Sequence, residues 1–188
     1  LEKALKLEKN SCIIDCGAHI GDGSIPIAHA LRFFGREDII VYAIEPSEDK
    51  CNFIKFIAKK NKLENIKIIN CGLSDDNLEY SNTNYGMIGN TGGHSYTLSN
   101  DDKNKIQFFK LDKLVNDEII KEKIGIIHLD VEGFESKAID GGINCILKYK
   151  PYLTIEDHTK NKDTFLFNLK NEYKFLKYIS HNAIYIPI

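Results

Sequence analysis

Carboxylates gather where the apolar runs of this chain end. The run endings are Asp15-Cys-Gly-Ala-His-Ile-Gly21, Glu45-Pro46, Gly72 to Asp75, Asp130-Val-Glu132 and Glu156-Asp-His158, and each supplies at least one acidic group. In an open α/β sheet, ligands bind outside the carboxyl ends of the strands. Concentrating like charges there is costly unless a cation or a hydroxyl is to be held, because carboxylates repel one another and accept hydrogen bonds.

The first ending is a glycine loop between a strand and a helix, where glycine lets the backbone turn tightly and approach a ligand. Its glycines fall at 17, 21 and 23, which departs from the G-x-G-x-x-G spacing of dinucleotide sites. Asp15 and Asp22 flank the loop. A carboxylate beside a pyrophosphate is repelled, whereas beside an ammonium or a sulfonium it is attracted. Glu45 lies 24 residues past Gly21, at a second strand end where a carboxylate can accept from both hydroxyls of a ribose. Together these favour S-adenosylmethionine over NAD. The expected cofactor-binding residues are Asp15, Gly17, His19, Gly21, Ser24, Glu45, Gly72 and Leu73. A purely structural glycine loop beside a solvated Glu45 is the competing reading, and packing alone gives no reason for that carboxylate.

These endings need strands that alternate with helices, and the apolar pattern supplies them. Strand-length runs at 11–16, 39–44, 66–70, 106–111, 124–129 and 151–156 alternate with helical patterns at 23–34, 47–61, 112–121 and 134–146, the signature of a parallel α/β sheet. Pro26 falls in a first turn, where its missing N–H does no harm. Ser47 is an expected N-cap, without the acidic partner of a capping box. Gly141-Gly142 is a point where the fourth helix can end early. Phe33-Phe34 reads as core at a helix end. Asp163 to Asn171 reads as a further helix, and the last two runs, 173–179 and 183–188, as a terminal hairpin. Between Ser74 and Asn104 the chain is rich in Ser, Asn, Asp and Gly, and a long irregular segment in a compact domain is commonly functional. His94 there is either an exposed loop residue or part of a cover over the cofactor. His29 and His181 read as structural or solvated.

With 188 residues, 43% hydrophobic, the chain fits one domain with a substantial core. A formal charge of −2 argues against a dedicated nucleic-acid binder, which carries a clustered basic face. No apolar run approaches the roughly 20 residues that span a bilayer, and no basic region followed by an apolar run is visible at the start of the sequence, so no signal peptide is expected. The five cysteines are scattered, without zinc-site spacing, so a reducing, cytoplasmic setting is expected.

Asp15-Cys-Gly-Ala-His-Ile-Gly21, Glu45-Pro46, Leu111-Asp112 and above all Asp130-Val-Glu-Gly-Phe-Glu135 resemble the FkbM family of SAM-dependent methyltransferases. The likeness runs from about Asp15 to His158. It implies a Rossmann-like class I methyltransferase fold, here a mostly parallel sheet with a terminal antiparallel hairpin, and methyl transfer to a hydroxyl oxygen, often of a sugar or natural product. The family commonly carries Asn where this chain has His19, and Lys where it has His128.

An alcohol oxygen is a poor nucleophile until its proton leaves, so a base is expected beside the methyl group. Asp130, at a central strand end, is the first candidate; a cofactor contact or a cap for the following helix is the alternative role. His158 is the second candidate base, and a solvated strand-end histidine its alternative. Glu132 and Glu156 are expected to hold substrate hydroxyls. Glu135 either joins them or serves the helix dipole. Asp130, Glu132, Glu156 and His158 form a minority candidate for a divalent metal site; the leading expectation is no metal. The acidic rim suits a small polyhydroxylated or glycan acceptor. An NAD-dependent oxidoreductase and a non-catalytic domain that has kept the fold are the competing function classes.

Overall fold

The structure is a computed structural model that describes residues 1–82, 96–98, 105–158, 160 and 169–188. His94 and Gly92-Gly93 lie outside the described residues, as does most of the helix expected at 163–171. The helices are α1 (Glu2–Leu5), α2 (Ser24–Phe33), α3 (Glu48–Lys60), α4 (Leu111–Asn116), α5 (Glu135–Gly141) and α6 (Ile143–Tyr149). The strands are β1 (Ser11–Cys16), β2 (Ile40–Ile44), β3 (Ile66–Ile69), β4 (Gly72–Leu73), β5 (Glu79–Asn82), β6 (Tyr96–Leu98), β7 (Lys105–Phe109), β8 (Lys123–Leu129), β9 (Tyr152–Glu156), β10 (Tyr173–Ile179) and β11 (Asn182–Pro187).

Among the described residues, the main sheet runs β10-β11-β9-β8-β1-β2-β3. The five strands from β9 to β3 pair in parallel, and the β10–β11 hairpin adds to β9 antiparallel. Both faces of the central strands are covered, which is why they read as nearly continuous apolar runs. On β1, Cys12, Ile14 and Cys16 face one core with Tyr42 and Ile44 of β2. Ile13 faces the other with Val41 and Ala43, covered by Ala28 and Leu31 of α2 and Ile54 and Ala58 of α3. All five cysteines are buried and free. Burial pushes the Cys51 thiol up to about 11 and Cys71 up to about 12, so these thiols act as small hydrophobes.

The helices largely follow the sequence pattern. The Ser47 hydroxyl accepts from the Lys50 N–H at 3.5 Å, and Gly141-Gly142 divides the expected fourth helix into α5 and α6. Phe33 and Phe34 depart from expectation: they are 78% and 54% exposed and pack edge to face on each other. The buried stripe of α2 is Ser24, Ala28 and Leu31. Phe33 lies off that stripe, and Phe34 falls at the helix end, where the chain turns away at Gly35. A second sheet, β4-β7-β5-β6, forms among the described residues; β7 matches the strand expected at 106–111, whereas β5 and β6 lie in the stretch expected to be irregular. No helix among the described residues is long and apolar enough to cross a membrane.

Candidate active site

The parallel strands place their acidic ends in one row. Asp15 on β1 lies level with His128 on β8, and His128 level with Thr154 on β9. Asp15 is buried on the α2 face, where it accepts from the Ser24 hydroxyl. His128 Nδ1 lies 2.8 Å from Asp15 Oδ1, and its Nε2 lies 3.3 Å from Asn182 Oδ1 on β11. Burial alone lowers the His128 pKa, but the bond and charge of Asp15, the charge of Asp130 and the Asn182 bond outweigh it, and the net shift is upward.

After β1 the chain turns back at Gly17, whose φ of +77° suits glycine, and a Cβ there would stand 1.7 Å from the Asp130 carbonyl oxygen. The Gly17 and Ala18 N–H groups both donate to the Ile44 carbonyl, at 3.0 and 3.1 Å. His19 also has positive φ, at 50°, a region in which Asn, Asp and His are enriched among non-glycine residues. This turn aims the His19 N–H at Glu45 Oε2, 2.9 Å away, while Ser47 N–H donates to Glu45 Oε1 at 2.9 Å. Glu45 is 3% exposed. Burial raises its pKa against the opposing pull of these bonds and of Lys50.

Asp130 follows β8 and is half-buried, its N–H bonded to the Cys16 carbonyl at 3.1 Å. Its carboxyl group is hydrogen-bonded to that of Glu156 at the end of β9. Burial, that bond and the Asp130 charge push Glu156 up to about 7. His158 Nε2 lies 3.1 Å from Glu156 Oε1, and its ring packs against His181 at 5.2 Å between centroids. Glu132 sits at φ 51° in the loop after Asp130. Burial and the charges of Asp130 and Glu135 raise its pKa. Glu135 turns back on this loop, accepting from Val131 N–H at 3.1 Å and Gly133 N–H at 3.3 Å.

These endings surround a cavity of about 310 Å³. Asp15, Gly17, His19, Glu45, Gly72, Leu73, Asp130 and Glu132 line it, as the sequence leads one to expect. The structure gives other expected residues different work. Gly21 turns the chain at φ +85°, and a Cβ there would press on Ile25 and Ile54. Ser24 is fully buried against Asp15. Glu156 and His158 stand behind Asp130 rather than on the lining, with the His158 side chain 69% exposed. Among the described residues no group of three or more His, Cys, Asp or Glu is arranged to hold a metal.

Sequence reasoning missed Lys50, His128, Tyr96 and Phe108 as lining residues. Lys50 lies one turn into α3, facing Glu45 and Glu132, and its distance from the Glu45 ending was a usable signal. Tyr96 and Phe108 come from the second sheet, whose pairing has no local signature. Their rings join Tyr80 and Phe134 in one aromatic cluster. Asp112, of the Leu111-Asp112 motif, is structural: it accepts from the Cys145 N–H at 2.8 Å, and from the Asn144 N–H and side-chain amide at 3.1 and 2.7 Å, capping α6.

The lining fits S-adenosylmethionine. Gly17 packs against the Asp130 carbonyl and so seats the loop after β1 along the cavity wall. Glu45 keeps lone pairs for two ribose hydroxyls beyond the one backbone donor bonded to each oxygen. Leu73, Tyr96 and Phe108 give an apolar wall for a base, and Asp130 gives negative charge for a sulfonium.

Residues 15–179 match the family model described as the methyltransferase FkbM domain. No curated protein sequence matches the chain. Among solved structures, a methyltransferase FkbM from Methylobacillus flagellatus superimposes with a TM-score of 0.64 at 18% identity, covering 94% of this chain and 43% of that one. The chain thus spans less than half of that protein. An rRNA methylase from Streptococcus thermophilus gives 0.55 at 13% identity, covering 100% of this chain and 93% of that one. A SAM-dependent methyltransferase from Aquifex aeolicus gives 0.54 at 13%, with 100% and 89% covered. The shared architecture is the Rossmann-like class I methyltransferase fold.

Proposed function

Because the chain belongs to the FkbM methyltransferase family, we propose that it acts as a single SAM-dependent methyltransferase domain on a hydroxyl oxygen of a sugar or glycan, with Asp130 as the general base. The observation that carries this reading is Asp130 at the cavity wall, packed through its backbone against Gly17 and flanked by Glu132.

When bound, S-adenosylmethionine supplies an electrophilic methyl group on a sulfonium. Glu45 accepts from the ribose hydroxyls, and Gly17 lets the loop after β1 close on the end of β8, which brings the Glu45 and Asp130 walls together. Asp130 accepts the proton of the acceptor hydroxyl, a contribution of roughly 10²–10⁴-fold in rate. Glu132 accepts from a neighbouring hydroxyl and sets the orientation of the acceptor. Aligning acceptor and methyl group can supply about 7–11 kcal/mol of the barrier.

The acidic lining is the reason to prefer a neutral, hydroxyl-rich acceptor. An RNA also offers hydroxyls, but its phosphates would meet Asp22, Asp130 and Glu132 with only Lys50 among the Lys and Arg residues of the lining to offset them.

The test is calorimetric titration with S-adenosylmethionine, S-adenosylhomocysteine and NADH, followed by transfer of labelled methyl groups to panels of glycans and of RNAs. Binding of the adenosyl ligands alone and label on glycan supports the reading. Label on RNA moves the acceptor to nucleic acid, and binding of NADH alone overturns the methyltransferase.

A further inference from the structure

We propose that Glu156 and His158 form a proton exit from Asp130 to solvent, so that the Asp130–Glu156 pair keeps one proton in the free protein and releases it when the cationic methyl donor binds. This rests on the methyltransferase reading above.

Three groups stand in series from the cavity outward. Asp130 lines the cavity. Glu156 lies behind it, hydrogen-bonded to Asp130. His158 Nε2 lies 3.1 Å from Glu156 Oε1, and side-chain exposure rises from 18% at Glu156 to 69% at His158. The parallel register of β8 and β9 makes the first contact, because it sets the two strand ends side by side. The turn after β9 makes the second.

Two hydrogen-bonded carboxyl groups cannot both ionise cheaply, so one proton stays between them. The groups facing the pair divide: Glu132, from the loop after β8, adds negative charge that raises Glu156, whereas His158 and, on the Asp130 side, His128 oppose it. Asn182 on β11 lies opposite Glu156 in the ladder and is neutral. Asp157 is engaged with the Tyr178 hydroxyl at 2.9 Å, and His181 stacks on His158.

A sulfonium beside Asp130 reverses the balance, because a nearby cation favours two ionised carboxylates. The Glu156 O–H bond breaks, His158 Nε2 takes the proton, and the exposed ring hands it to water. Asp130 is then free to act as a base. As the acceptor oxygen takes the methyl group, its own proton passes to the Asp130–Glu156 pair. The carbon–sulfur bond electrons return to sulfur, and the product thioether leaves uncharged. One proton is therefore released on binding and one regained on transfer.

The difference in charge between the two adenosyl ligands gives the experiment. Calorimetry at pH 6.5, in buffers of different ionisation enthalpy, is expected to show most of a proton released with S-adenosylmethionine and none with S-adenosylhomocysteine. Carboxyl-carbon NMR of the free protein is expected to place the Glu156 midpoint at about 7, lower in Asp130→Asn and higher in His158→Gln. Equal proton release by both ligands overturns the proposal, as does a wild-type Glu156 midpoint in the ordinary carboxylate range. These wild-type measurements stand even if a variant fails to fold. Silence of both ligands overturns the methyltransferase reading itself, and with it the release step, whereas the NMR midpoint reports on the pair alone.

Discussion

His128 Nδ1 stands 2.8 Å from Asp15 Oδ1 while its Nε2 stands 3.3 Å from Asn182 Oδ1, so one imidazole joins the ends of β1, β8 and β11. The Asp15 bond and charge and the nearby Asp130 charge outweigh burial, so the ring holds its proton more firmly than a free imidazole does.

That arrangement fixes the sign of a pH effect. The folded-state pKa of His128 is raised above 6.5, so its contribution to stability is full below the unfolded value and is lost as pH rises through the folded one. A hydrogen bond to a charged group is worth about 1.5–3 kcal/mol. Thermal melts of the wild type and His128→Gln from pH 5.5 to 8.5 are expected to differ most at the acid end and to converge with rising pH. A difference that is flat across this range would rule out the charged ring.

Gly17→Ala is expected to damage the site more than the fold. Its Cβ would stand 1.7 Å from the Asp130 carbonyl at a φ of +77°, so the loop after β1 must leave the end of β8. Strain at such a position costs on the order of 1–3 kcal/mol. Binding of S-adenosylhomocysteine is expected to be lost while circular dichroism stays that of the folded protein. Retained affinity would show that the close approach is not part of the binding surface.

The central strands were legible because burial on both faces leaves no polar alternation to decode, as in Ser11–Cys16 with every residue buried. Loop chemistry was legible at Gly17 and Glu45, whose roles depend on positions along the chain. What escaped was non-local. The meeting of Asp130 with Glu156 depends on β8 lying beside β9, and the level of His128 with Asp15 depends on β8 lying beside β1. Glu135 was legible as a substrate contact or a first-turn acid but not as a loop brace, since its bonds to Val131 and Gly133 need a loop that doubles back. The exposure of Phe33 shows the limit of composition: two aromatic residues at a helix end say nothing of where the covered stripe ends.

Asp112→Ala separates a structural motif residue from a functional one. Asp112 caps α6 through Asn144 and Cys145, and removal of a capping side chain costs about 0.5–2 kcal/mol. A lower melting temperature with unaltered affinity for S-adenosylhomocysteine is expected. Loss of affinity in a folded variant would place Asp112 in the site after all.

Glu45 should set the acid limit of cofactor binding. The residue is 3% exposed and its carboxyl group already accepts from His19 and Ser47, so its remaining lone pairs are fixed in direction before a ligand arrives. Each charge-assisted bond to a ribose hydroxyl is worth about 1.5–3 kcal/mol, and losing two of them in Glu45→Ala corresponds to a weakening of at least about 100-fold. Burial raises the Glu45 pKa above 4.5, so protonation sets in at a higher pH than for a free glutamate. Protonation removes one acceptor site and the charge together. Affinity for S-adenosylhomocysteine, titrated from pH 7.5 downward, is expected to fall before the pH reaches 4.5 in the wild type. In Glu45→Gln, which cannot titrate there, affinity should be weak at every pH and lack that fall. A wild-type profile that runs parallel to that of Glu45→Gln would take the ribose contact away from Glu45.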